Sequence, residues 1–273
     1  MKKKIDIIVG PTASGKSGYA LKMAQKVKGQ IVNADAFQVY QDLRILTARP
    51  TPQDEAKVPH YLYGYADCQI QENVQSWLKK ASELLPTLSH PIVVGGTGMY
   101  INALINGINE MPDIPEEIRK KVRQLPTDEI KSLLKGQNVF SDPQRQKRAL
   151  EVFWTTGKPI TYFQDQPLKK MIKADFNVIL IQPDREIVYQ NIEKRLKIMF
   201  ETGVLEEVEN LLKLRAKGGV MKAIGVKEIT QYIKKECSLD ETKKQILLNT
   251  RHYAKRQMTW FRHQIAPNEV ITL

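Results

Sequence analysis

One short stretch narrows the possible folds of this chain more than any other. An apolar run, Ile7-Ile8-Val9, breaks into Gly10-Pro11-Thr12-Ala13-Ser14-Gly15-Lys16-Ser17 and then into a helical pattern. The spacing satisfies G-x-x-x-x-G-K-[ST] between a strand and a helix, the context in which the loop's backbone N–H groups form a concave anion site. In such a loop Lys16 reaches the outer phosphate, the Ser17 hydroxyl is available to Mg²⁺, and the helix N-terminus behind adds a favourable dipole. A plain Gly/Ser turn is the alternative, and both flanks argue against it. The ligand stays open, because a diphosphate on any organic group satisfies the same amides and lysine.

The expected fold is therefore α/β: a P-loop NTPase-like parallel sheet with helices on both faces, plus a small helical insertion. A chain of 273 residues with 42% hydrophobic content can bury such a core. The phosphate-loop core is expected over 1–111 and again over 144–273, with the insertion at 112–143. The start, Met1-Lys2-Lys3-Lys4, runs directly into a strand over Asp6 to Val9, and no apolar run is long enough to cross a bilayer. A cytoplasmic protein without a membrane partner is the expectation. Cys68 and Cys237, distant and not in a metal spacing, are expected to be buried free thiols. The formal net charge of +12 concerns partners rather than fold, since an excess of this size gathers polyanions and brings in nucleic acid.

After the loop, Ala20, Leu21, Met23, Ala24 and Val27 recur at helical spacing, with Gly29 where a left-handed cap would stand. A second strand, Gln30-Ile31-Val32, ends at Asn33-Ala34-Asp35, and in open α/β sheets such carboxyl ends face the ligand crevice. The residues alone leave two roles for Asp35, a site carboxylate or a helix N-cap. Tyr61, Tyr63 and Tyr65 alternate like a short strand. A later strand, Pro91-Ile92-Val93-Val94, runs into Gly95-Gly96-Thr97-Gly98 with no carboxylate after it. Motor-type NTPases place an aspartate there, so Thr97 in its stead argues against hydrolysis as the main chemistry.

Farther on, charged helical patterns cover Glu116 to Leu125 and Asp128 to Lys135. Asp142 to Arg148 form a basic run that is either a solvated helix face or an RNA contact. A strand over Val178 to Ile181 precedes a long helix carrying Arg185 and Arg195, one of them a candidate lid arginine over the phosphate site. The last helix opens with Ser238-Leu239-Asp240-Glu241, a capping-box pattern. Its apolar stripe is Ile246, Leu247, Thr250, Ala254, Met258 and Phe261, while Arg251, Lys255 and Arg262 share another face. Trp260 among Arg256, Arg262 and His263 suits a phosphate backbone with stacked bases, or else belongs to the core.

Assembled in order, these stretches resemble the tRNA dimethylallyltransferases of bacterial and mitochondrial type along nearly the whole chain. The resemblance rests on Gly10 to Ser17, Asn33-Ala34-Asp35 with Gln38-Val39-Tyr40, Thr47-Ala48-Arg49-Pro50, Pro59-His60, and Gly95-Gly96-Thr97 with Tyr100. It continues through Asp142-Pro143-Gln144-Arg145 with Arg148 to Val152, Ile224-Gly225 with Lys227-Glu228, and Thr250-Arg251 with Ala254 to Gln257 and Thr259-Trp260. Such enzymes transfer the dimethylallyl group of dimethylallyl diphosphate to N6 of the adenosine just 3′ of the anticodon, using Mg²⁺.

The resemblance implies a diphosphate site on Gly10 to Ser17 with Arg195, Lys16 stabilising the leaving group, Ser17 on the metal, and Asp35 as general base. It places Thr97 near the bridging oxygen and the incoming base, and Gln38 on the adenine edge. It puts tRNA contacts on Asp35, Ala36, Phe37, Gln38, Thr97 and Arg119, on Gln144, Arg145, Gln146, Lys147 and Arg148, and on the segment Ala254 to Phe261, with Lys255 and Arg256; the basic face of the last helix adds Arg251 as an expected RNA contact. A monomer is expected. The family usually has Ser-Met at Ala36-Phe37, glycine at Leu46, lysine at Arg49 and an aromatic at Val226, and its insertion is longer than 112–143. A small-molecule kinase shares the loop, lid arginines and sheet, though it does not need a basic, aromatic last helix. A prenyltransferase of free adenine nucleotides, or a non-catalytic phosphate-binding RNA module, completes the alternatives.

Overall fold

The computed structural model describes residues 2–136 and 140–272. Its first strand, β1 (Lys3–Val9), buries Ile5, Ile7, Ile8 and Val9 completely, as a parallel strand covered on both faces requires. The strand begins earlier than the apolar run because Lys3 and Lys4 pair in register with Ala174 and Asp175. Helix α1 (Lys16–Val27) buries Ala20 and Ala24 and ends on Lys28, which itself takes the left-handed conformation expected of Gly29. Gly29 serves a different need: a Cβ there would lie 3.0 Å from the His90 carbonyl.

Next come β2 (Gln30–Asn33), the single turn α2 (Pro52–Glu55) capped by Thr51, and β3 (His60–Tyr61). The alternating tyrosines do not extend β3, because Leu62 and Gly64 turn to positive φ. Helix α3 (Val74–Leu84), β4 (Pro91–Gly95) and α4 (Gly98–Asn106) follow. On α3, Trp77 donates its indole N–H to the Asn33 carbonyl at 2.8 Å and stacks on Tyr100, fixing the end of β2.

The chain divides into two compact units, one of Met1–Ile105 with Met171–Leu273, the other of Asn106–Lys170. The second unit holds α5 (Glu116–Gln124), α6 (Thr127–Leu133), α7 (Pro143–Thr156) and α8 (Ile160–Gln164). It runs wider than 112–143, since Ala149, Leu150 and Val152 of α7 close one core with Val122, Ile130 and Ile160.

The first unit resumes with β5 (Ala174–Ile181), α9 (Arg185–Glu201), α10 (Val204–Lys213), α11 (Val226–Ile233), α12 (Leu239–Gln264) and β6 (Glu269–Ile271). Ser238 and Glu241 form the expected capping box of α12. The six strands make one sheet in the order β3-β2-β4-β1-β5-β6, every pair parallel. Ile8, Ile31, Ile92 and Ile179 of its strands pack with Ala20 and Ala24, each buried isoleucine contributing about 1.5 to 3 kcal/mol. Cys68 is a buried free thiol, and Cys237 is only half-buried. No helix among the described residues is long and apolar enough to cross a membrane.

Candidate active site

Parallel pairing puts the carboxyl ends of the strands on one edge, where open α/β sheets bind ligands. Val9 pairs with Gly95, and Asn33 with Val94. The phosphate loop, Asp35 and Thr97 therefore leave three adjacent strands at one level. Gly15 ends the loop at φ 86, a left-handed conformation that costs glycine little, and Lys16 opens α1.

Within the loop the Lys16 ammonium donates to the Pro11 carbonyl at 3.1 Å. Burial lowers its pKa from 10.5 to about 8; Asp35 opposes the shift and Arg195 adds to it. A cation held at such a cost gains from any anion brought beside it. The Ser14 hydroxyl is buried with no hydrogen-bond partner among the described residues, unusual for a buried polar group. Arg195, reaching in from α9, donates to Thr12 Oγ1 at 2.8 Å, and burial depresses its pKa against the pull of Asp35. Arg185 instead bonds and stacks on Tyr189, so Arg195 is the arginine that faces the loop.

Asp35 caps no helix. Its Oδ1 accepts from the Phe37 N–H at 2.9 Å in a tight turn, while its own N–H goes to Asn33 Oδ1. Thr97 Oγ1 accepts from the Ala36 N–H at 3.0 Å, tying the ends of β2 and β4 together, and also hydrogen-bonds the Tyr253 hydroxyl. Burial, and then the Asp35 charge, raise the Tyr253 pKa, so that phenol stays protonated. Thr12, Asp35, Thr47, Arg195, Thr250 and Tyr253 contribute polar groups to the lining of one cavity, and Phe37, Leu46, Ile192, Leu196, Met199 and Ile246 give it apolar walls. It encloses about 700 Å³ including its open mouth. Glu207 of α10 shapes that wall, accepting from the Ile45 and Leu46 N–H groups at 2.7 and 2.8 Å. Sequence periodicity shows these apolar residues as core and gives no sign that they surround a space.

Several expected contacts sit differently. Gln38 donates its amide to the Thr47 and Ala48 carbonyls, so its N–H₂ is committed to the fold rather than to a base edge. Arg251 pairs with Glu193 and lies over the Tyr189 ring, an ion pair between α12 and α9. Gln146 is 2% exposed and donates to the Phe140 carbonyl inside the second unit, a position from which it cannot meet RNA. The other four of its run have more exposed side chains: Gln144 and Arg145 lie at the surface, and Lys147 and Arg148 are half-buried. Arg119 is half-buried in the same unit. On α12, Lys255 and Arg256 are exposed and line a shallow groove with His252, Thr259, Trp260 and His263. Ser17 is exposed on the first turn of α1, and no group of three or more His, Cys, Asp or Glu among the described residues is arranged to hold a metal.

Residues 38–264 match the family model described as IPP transferase. Among curated relatives, the tRNA dimethylallyltransferase of Azorhizobium caulinodans is 41% identical over 95% of this chain and 89% of its own length. That of Bartonella tribocorum is 42% identical over 99% of both. Among solved structures, a tRNA isopentenylpyrophosphate transferase from Bacillus halodurans superposes with a TM-score of 0.74 at 28% identity, over 99% of this chain and 91% of the other. A eukaryotic dimethylallyltransferase acting on tRNA superposes with a TM-score of 0.79 at 26% identity, over 95% and 70%.

Proposed function

This chain belongs to the IPP transferase family, and from that premise we propose that it transfers the dimethylallyl group of dimethylallyl diphosphate to N6 of the adenosine 3′-adjacent to a tRNA anticodon. The observation that carries the reading is the meeting of Lys16, Arg195, Asp35 and Thr97 beside one cavity with apolar walls. An inorganic phosphate would need the cations but not those walls.

In this reading the loop amides, Lys16 and Arg195 hold the diphosphate and stabilise the charge that grows on it as the C1–O bond breaks. Ile192, Leu196, Met199 and Ile246 surround the five-carbon group and keep water from the allylic centre. The N6 lone pair forms the new bond to C1, the bonding pair of C1–O leaves with diphosphate, and the N6 proton passes to Asp35. The Thr97 hydroxyl, bonded to the N–H of Ala36 next to Asp35 in the chain, orients the base. A magnesium ion would be held by the Ser17 hydroxyl, exposed on the first turn of α1, together with diphosphate oxygens and water, as in loops of this motif. It would supply positive charge to the diphosphate.

Competition for labelled dimethylallyl diphosphate between tRNA and AMP tests the acceptor. Label is expected in tRNA, recovered as N6-dimethylallyladenosine on nucleoside analysis; label in AMP instead would overturn the RNA reading. Calorimetry with Mg²⁺ is expected to show dimethylallyl diphosphate binding far better than ATP, and the reverse order would indicate a kinase.

For tRNA, the reading places phosphate contacts on Lys255 and Arg256 of α12 and on Arg145, Lys147 and Arg148 of the second unit. Neutralising Lys255 and Arg256 together is expected to lower the slope of log affinity against log salt by about 1.5, since each lost phosphate contact removes about 0.7 to 0.9. Arg251→Ala is expected to leave that slope unchanged, because its charge is paired with Glu193. An unaltered slope in the double variant would show that face to be merely solvated.

A further inference from the structure

One buried side chain reaches both reacting halves of the site. Gln257, 6% exposed on α12, accepts from the Thr12 N–H at 2.8 Å and donates to the Gly96 carbonyl at 2.7 Å. Thr12 belongs to the phosphate loop and takes Arg195 on its hydroxyl; Gly96 immediately precedes Thr97. The sheet side leaves room for this approach only because it carries glycines there. A Cβ on Gly96 would stand 2.4 Å from Gln257 Nε2, and one on Gly98 2.2 Å from the Trp260 ring. Tyr253, Gln257 and Trp260 thus fasten one face of α12 to the loops after β1 and β4, at a spacing that repeats on a helix.

We propose that Gln257 is a positioning residue that sets the spacing between the diphosphate loop and the Thr97 loop, and so between leaving group and incoming nitrogen. The inference rests on the transferase reading above. A carboxamide accepts and donates at once in fixed geometry, which neither an aliphatic nor an ionised side chain of that size can do. The Thr12 N–H is consumed by this bond, so Gln257 supports the loop without supplying a donor to the diphosphate. Its loss should therefore appear in the rate of bond formation and hardly in affinity, because misplacement by about 1 Å can cost about 10²-fold in rate.

The test measures single-turnover transfer at saturating dimethylallyl diphosphate and tRNA, with calorimetric affinity for each, in wild type, Gln257→Leu and Gln257→Glu. The leucine fills the space and breaks both bonds; the glutamate keeps the acceptor for Thr12 and loses the donor to Gly96, and it is read alone if the leucine variant does not fold. Both are expected to transfer about 10- to 100-fold more slowly, with both affinities within about threefold of wild type. A wild-type rate in the folded variants would overturn the positioning role. So would a loss of rate matched by an equal loss of diphosphate affinity, which would make Gln257 a binding residue. Wild type failing to modify tRNA would overturn the transferase reading itself, whereas transfer by wild type with unimpaired variants removes only the role of Gln257.

Discussion

Replacing Asp35 by asparagine is expected to lower single-turnover transfer by about 10² to 10⁴, the range for a lost general base. The turn that holds the residue should survive, because Asn Oδ1 can accept the Phe37 N–H as Asp35 Oδ1 does. Melting temperature should therefore stay near that of wild type, and tRNA affinity within a few-fold, locating the defect in chemistry. The substitution has a second, electrostatic consequence. Asp35 is the charge that holds the Lys16 pKa up against burial and Arg195, so in Asp35→Asn diphosphate binding should weaken at a lower pH than in wild type. A near-normal transfer rate would assign proton removal to another group.

Lys16→Ala is expected to cost about 1.5 to 3 kcal/mol in diphosphate binding or barrier, the worth of a hydrogen bond to a charged group, or roughly 10- to 150-fold. The ligand-free variant should melt no lower than wild type, and the sign follows from linkage. The pKa of Lys16 is about 8 in the folded protein against an ordinary 10.5. Below pH 8 the ammonium is charged in both states and its desolvation fully opposes folding. Between pH 8 and 10.5 only the unfolded chain still binds that proton, so stability rises with pH across this window. An anion favours the ammonium, so diphosphate affinity should fall as pH rises above about 8 in wild type and lose this dependence in the alanine variant. Unchanged kinetics in Lys16→Ala would remove the phosphate loop from the reaction.

What was legible in the sequence is what local pattern controls. β1 and β4 are buried on both faces and read as apolar runs, and the loop between β1 and α1 carries its own motif. With strand ends come crevice positions, so the placement of Asp35 and Thr97 near the loop is legible without knowing the pairing. The rest depends on partners distant along the chain. Arg251 and Lys255 look alike on a helical wheel, yet Arg251 meets Glu193, 58 residues away. Gln146 sits in a basic run and is nonetheless core, because α7 completes the second unit there. Strand β6 has Glu269 and Val270 exposed and only Ile271 half-buried, so nothing in its three residues announces a strand. Gln257 reads as one more polar residue in a basic segment until its two bonds are seen.

The distance along the chain between Thr12 and Gln257, 245 residues, also orders events in time. On the ribosome the phosphate loop is made well before α12. The side chain that holds its Thr12 peptide follows about 12 to 50 s later at ordinary rates of elongation. Strand β1 likewise waits for β5, with Asp6 bonded to Asn177 across 171 residues. Contacts of such separation are entropically late in folding. A nascent chain can thus carry the whole loop motif while the centre of its sheet is unmade, and the spacing between the loops after β1 and β4 should be set only once α12 has emerged.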